Sequence, residues 1–136
     1  MTSSRQSLGR WGEDVAADYL SRLGYEIIGR NVRTAYGEID LVTQQRIDNQ
    51  TIESFIVTVF VEVKTRTSRL FGAPEEAITQ RKQQHMLTAA QSYLQQHPEI
   101  TGNWRIDVIA IERQHSQATP IITHFENALH ENSTYP

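Results

Sequence analysis

"FIVTVFVEVKT", residues 55–65, is the longest apolar run in the chain, and its far end carries two charges. The β-branched and aromatic residues mark a strand buried on both faces. Side chains alternate along a strand, so Val61 and Val63 share one side while Glu62 and Lys64 share the other. Either the charges face water at the strand's end, or something in the interior needs an acid and a base there. On the strand pattern alone the two readings stand level.

Reading outward from this strand orders the rest of the chain. "GEIDLVTQ" (37–44) precedes it as a strand, with Ile39 and Leu41 on one face and Glu38, Asp40 and Val42 on the other. "YEIIGRNVRT" (25–34) comes first, its β-branched residues interrupted by Gly29, and "QRIDNQTIES" (45–54) reads as a polar loop. Trp11, Val15, Tyr19 and Leu23 recur every four residues beside Ala16 and Leu20. That spacing predicts an amphipathic helix ended by Gly24. A second helix is predicted over about residues 77–96, with Ile78, Met86, Leu87, Ala90 and Leu94 as its stripe and Pro98 beyond its end. "WRIDVIAIE" (104–112) and "PIITHFENA" (120–128) complete the strands, and a frayed tail is expected from about residue 128. The order α-β-β-β-α-β-β predicts an α/β fold, a mixed central sheet flanked by helices.

The 136 residues form one expected domain, 1–136, and contain no cysteine, which excludes disulfides, thiolate metal sites and a cysteine nucleophile. No apolar run reaches membrane-spanning length and the first residues lack a signal-peptide pattern, so a cytoplasmic protein with no membrane partner is expected. The net charge of −3 speaks against a protein that coats nucleic acid. Yet Lys64, Arg66, Arg69, Arg81 and Lys82 gather within a short span, a candidate local basic patch. The five histidines show no paired metal-ligand spacing, and no nucleophile elbow or glycine-rich phosphate loop is present.

If the second and third strands pair as a hairpin, Asp40 and Glu62 become neighbours. Two carboxylates side by side repel, and one takes up a proton unless a cation lies between them. Mg²⁺ or Mn²⁺ answers that need, taking one or two carboxylates and keeping several waters. Lys64, two residues past Glu62, would then lie beside a metal-bound water. Arginine could not trade a proton there. The chain has eleven arginines and two lysines, so a lysine at this place is a meaningful choice. Taken alone, Glu13 on the first helix reads as a solvated glutamate. Asp107, an acid in an apolar strand, reads as a partner of Arg105 or Lys82 or as a further site residue.

Five segments in order, "GRWGEDVAADYL" (9–20), "YGEIDLV" (36–42), "FVEVKTR" (60–66), "RKQQHMLTAAQSYL" (81–94) and "WRIDVIAIE" (104–112), resemble the bacterial YraN family. That family is similar to archaeal Holliday-junction resolvases and to PD-(D/E)xK nucleases of restriction-endonuclease-like fold. The resemblance covers about residues 5–112 and implies that core fold and a metal-dependent endonuclease acting on nucleic acid, DNA including branched or single-stranded forms. It further implies Asp40, Glu62 and the Val63 carbonyl as ligands of Mg²⁺ or Mn²⁺, and Glu13 as a ligand through water. Lys64 would be the catalytic lysine, and Arg66 and Lys82 would contact phosphate. The alternative is a non-catalytic nucleic-acid-binding or assembly module with a vestigial site.

Three departures from the family pattern stand out: Ile39 replaces the nominal proline before Asp40, the 44–54 loop is long, and the balance of charge is acidic. A homodimer would suit a two-fold DNA substrate. "PIITHF" (120–125) reads either as its interface or as a fifth strand of the sheet.

Overall fold

The computed structural model describes residues 4–48, 54–67, 79–113 and 119–129. Its elements follow the expected order: α1 (Ser4–Arg22), β1 (Glu26–Thr34), β2 (Gly37–Asp48), β3 (Ser54–Arg66), α2 (Gln80–Gln96), β4 (Trp104–Glu112) and β5 (Ile121–Leu129). The strands form one mixed sheet in the order β1-β2-β3-β4-β5. β3 lies at its centre, antiparallel to β2 and, through the α2 crossover, parallel to β4. Central position explains the apolar run: residues 57–61 are all buried because α1 covers one face and α2 the other. Residues 121–125 of "PIITHF" are accordingly strand, since β5 pairs antiparallel with β4 at the edge of the sheet.

Two cores result. Ala16 and Leu20 of α1 pack with Leu41, Val59, Val61, Ile109 and Ile111 on one face. On the other, Ala89, Ala90 and Tyr93 of α2 pack with Ile39, Val42, Phe60 and Ile106. Leu23, expected on the buried stripe of α1, is 55% exposed. The helix ends at Arg22 and the chain reverses through Gly24 at φ +94°, a left-handed conformation that glycine adopts freely. Close packing of α1 rests on Gly12 instead. A methyl group there would lie only 2.0 Å from Thr65 Oγ1 and 3.0 Å from its Cβ, so helix and strand touch at that point. Gly12→Ala is expected to cost about 1–3 kcal/mol in urea unfolding. Thr65→Ala in the same chain should return part of that cost, which a double-mutant cycle measures.

Several boundaries differ from the sequence reading. Residues 45–48 and 54 belong to strands, not to a loop: Gln44–Asp48 pair with Ser54–Thr58. The two arms form a ribbon that tolerates polar residues, Arg46 donating to Ser54 Oγ at 3.2 Å and Ile47 packing on the α1-side core. The rest of that loop, residues 49–53, lies outside the described residues. α2 starts at Gln80 because Thr79 caps it, its side chain accepting from the Lys82 N–H. Ile78 falls outside the described residues. Leu129, expected in the frayed tail, is 3% exposed and closes the α2-side end of β5 against Ile106 of β4. The tail from residue 130 lies outside the described residues. Among the described residues no helix is long and apolar enough to cross a membrane.

Candidate metal and phosphate site

The β2–β3 ladder stops at Leu41 opposite Val61, one residue before Asp40 would meet Glu62. At this split the Val63 N–H turns toward β2 and is taken by the Asp40 carboxylate, Oδ2 to N 2.8 Å. A side chain thus replaces a backbone carbonyl, and β2 leaves the strict alternation assumed from sequence. Ile39 consequently joins the α2-side core while Leu41 stays on the α1 side. The expectation that Ile39 and Leu41 share a face is corrected by this break in the ladder.

β3 keeps its alternation. Val61 and Val63 face α1, while Glu62 and Lys64 line a cleft on the α2 side. Lys64 Nζ lies 3.1 Å from Glu62 Oε1, both side chains about one-fifth exposed. Asp40 and Glu62 come close enough to share a proton. Burial above all, then the Glu62 charge, pushes the Asp40 carboxyl up to about 7, although the Val63 N–H pulls the other way. Glu13 reaches the same corner from α1 and adds to the repulsion on Asp40. Its own carboxyl is raised by burial, opposed by a hydrogen bond from Asn31 and by Arg30. Asn31 stands at φ +50°, just past the bulge at Gly29, which aims β1 at Glu13.

The raised Asp40 has a measurable consequence. Its folded value lies above the unfolded one, so its contribution to stability is complete below about pH 4 and is lost as pH rises toward 7. In EDTA the wild type is expected to lose stability over that window relative to Asp40→Asn. Urea unfolding at pH 5 and pH 8 checks this.

The Asp40 and Glu62 carboxylates converge here. Among the described residues no group of three or more aspartate, glutamate or histidine side chains stands at metal-binding distance. The donor set nonetheless fits a hard cation that keeps most of its waters, because the Asp40 and Glu62 charges repel and the Lys64 ammonium meets Glu62.

Lys82, on the first turn of α2, meets Lys64 across the cleft. Contact with the Lys64 ammonium, then its charge, holds the Lys82 amine below its ordinary value; burial and Arg66 act the same way, and Glu62 opposes them. The only two lysines of the chain therefore meet at one point, with Arg66 close enough to act on Lys82. Sequence reasoning chose both lysines but not their contact, which depends on where Thr79 starts the helix. Asp107, by contrast, is no partner of Lys82. It lies on the α1 side, fully buried, accepting from Arg105, His124 and the Asn127 N–H.

Residues 12–111 match the uncharacterised protein family UPF0102. The chain belongs to that family. It is 43% identical to a UPF0102 protein of Syntrophotalea carbinolica over 94% of this chain and 95% of the relative. It is 37% identical to one of Dehalococcoides mccartyi over 96% and 99%, and 46% identical to one of Syntrophomonas wolfei over 78% and 84%. The family match begins at Gly12, against Thr65, and ends at Ile111 of β4. Glu13, Asp40, Glu62, Val63, Lys64, Arg66 and Lys82 all fall within it.

Proposed function

We propose that this member of UPF0102 is a metal-dependent nuclease with a restriction-endonuclease-like core, hydrolysing phosphodiester bonds in nucleic acid, DNA foremost. One observation carries the reading: two carboxylates forced together at a strand split, with a lysine 3.1 Å from one of them. Packed structure does not need such a cluster, since apolar residues of similar size fill a core at less cost. Asp40, Glu62 and the Val63 carbonyl would hold Mg²⁺ or Mn²⁺, with Glu13 contributing through water. Bound there, the ion supplies a polarised phosphate and a water of lowered pKa.

The chain's own residues account for the rest. The Val63 N–H orients Asp40, leaving its other oxygen, Oδ1, for the ion. Lys64 turns from Glu62 Oε1 toward the scissile phosphate, where its ammonium offsets charge building on the non-bridging oxygens. It also positions the attacking water. Lys82 and Arg66, beside it, neutralise neighbouring phosphates. Calorimetric titration of Mn²⁺ tests the reading: binding expected in the wild type should be lost in Glu62→Ala. An unchanged isotherm in the variant overturns it.

A second reading is favoured by the Lys64–Glu62 ion pair, which already neutralises one carboxylate. It takes the domain as a nucleic-acid-binding module with a vestigial site. That module would bind DNA with a steep salt dependence, take up no Mn²⁺ and cut nothing.

A further inference from the structure

We infer that the cleft beside Lys64 seats one unpaired nucleobase, so that the substrate is a single strand, or a strand opened at the point of cutting. The inference rests on the nuclease reading and adds its substrate class. The cleft holds about 210 Å³. An apolar cavity of about 150 Å³ takes a benzene ring, so this one has the size of a single heteroaromatic base and falls short of the ~300 Å³ of larger ligand sites. Its floor is apolar: Ile39, Phe60, Met86, Ala89 and Ile106. A phosphate needs no such floor.

Tyr36 forms the rim. It sits on the β1–β2 turn and is 59% exposed, an unusual position for a large aromatic ring on a well-braced turn. Thr34 Oγ1 donates to the Gly37 carbonyl at 2.7 Å and accepts from the Tyr36 N–H at 3.1 Å, and Gly37 takes φ +130°. The turn that carries the ring is therefore braced before any ligand arrives, and it presents the ring at the mouth of the cleft as a stacking surface. Glu38 and His85 complete the rim and offer groups for the edge of a base. Lys64 and Lys82 line the same cleft, Lys64 with Glu62 Oε1 at 3.1 Å, and once Lys64 turns from Glu62 the two ammonium groups face a phosphate together. A base on Tyr36 with its own phosphate at the lysines satisfies both ends of the cleft. A base paired inside a duplex cannot enter it without leaving the stack.

The test uses a short single-stranded DNA carrying 2-aminopurine, whose fluorescence reports stacking, titrated in EDTA so that no cutting is needed. The same strand annealed to its complement is the control. Tyr36→Ala is expected to raise the Kd for the single strand about tenfold or more and to abolish the fluorescence change. Tyr36→Phe should retain both, and duplex binding should not move. Unchanged melting of the exposed-site variants verifies the fold. Equal single-strand binding by wild type and Tyr36→Ala overturns the base seat, as does an equal loss on the duplex. Cleavage assays with Mn²⁺ separate the two readings. Duplex cut as fast as single strand, with no effect of Tyr36→Ala, leaves the nuclease and removes the base seat. Tyr36-dependent single-strand binding without any cutting leaves the base seat and removes the nuclease.

Discussion

Lys64→Ala is expected to lower Mn²⁺-dependent cleavage by about a thousandfold while leaving Mn²⁺ affinity unchanged or tighter. The magnitude is that of removing a positioned proton-transfer or charge-stabilising group, roughly 10²–10⁴ in rate. The sign of the affinity change follows from geometry. Lys64 Nζ lies 3.1 Å from Glu62 Oε1 and competes with a cation for that oxygen, so its removal frees a ligand. Glu62→Ala should instead lose both cleavage and metal binding. Asp40→Ala should do the same and should also leave the Val63 N–H without its acceptor. Calorimetry and single-turnover cleavage on the same three variants read this split. Lys64→Arg is a sharper control: it keeps the charge but not a proton that can be exchanged, so any restored activity measures charge alone. Full activity in two of the three alanine variants would end the nuclease reading.

The largest expected loss of stability lies on the other face of the sheet. Asp107 is fully buried, and its carboxylate accepts from Arg105 Nε at 3.0 Å, His124 Nε2 at 2.8 Å and the Asn127 N–H at 2.8 Å. Arg105 also donates to Tyr25 Oη at 2.8 Å, and His124 Nδ1 meets Tyr19 Oη at 3.0 Å. One acid therefore joins β4, β5, α1 and the start of β1. Asp107→Ala leaves the Arg105 charge without its buried partner and should cost about 3–5 kcal/mol. Thermal unfolding should fall by roughly 10 °C or more.

Burial works to raise the Asp107 carboxyl, but the hydrogen bonds from His124, Arg105 and Asn127 outweigh it and hold it below its ordinary value. A depressed folded value means that this stability is present above about pH 4 and is lost as the pH falls through the folded value. The advantage of wild type over Asp107→Asn should therefore shrink as the pH falls below about 4. A difference that grew in acid would contradict the assignment.

Legibility followed the range of the forces involved. The bounds of β4 came directly from its apolar run, because a strand buried on both faces needs one. The side shared by Glu62 and Lys64 came from the two-residue period of the strand. Departures occurred where distant residues decide. Residues 45–48 look like loop because they are polar, yet each has a cross-strand partner in β3. The central seam of α1 runs through Gly12, Ala16 and Leu20, with Trp11, Val15 and Tyr19 only partly buried beside it, because a side chain at residue 12 would run into Thr65. Tyr36 escaped notice as a turn residue. Its one signal was an aromatic side chain before a glycine where a polar residue would serve.

The order of elements, the mixed sheet and the choice of Asp40, Glu62 and Lys64 were determined by sequence alone, because periodicity and burial act within a few residues. Tertiary structure alone decided the end of the β2–β3 ladder at Leu41 and Val61 and the meeting of two lysines from different elements. Each of these depends on the angle at which one element crosses another. That angle is set by packing summed over the whole core, and no local pattern encodes it.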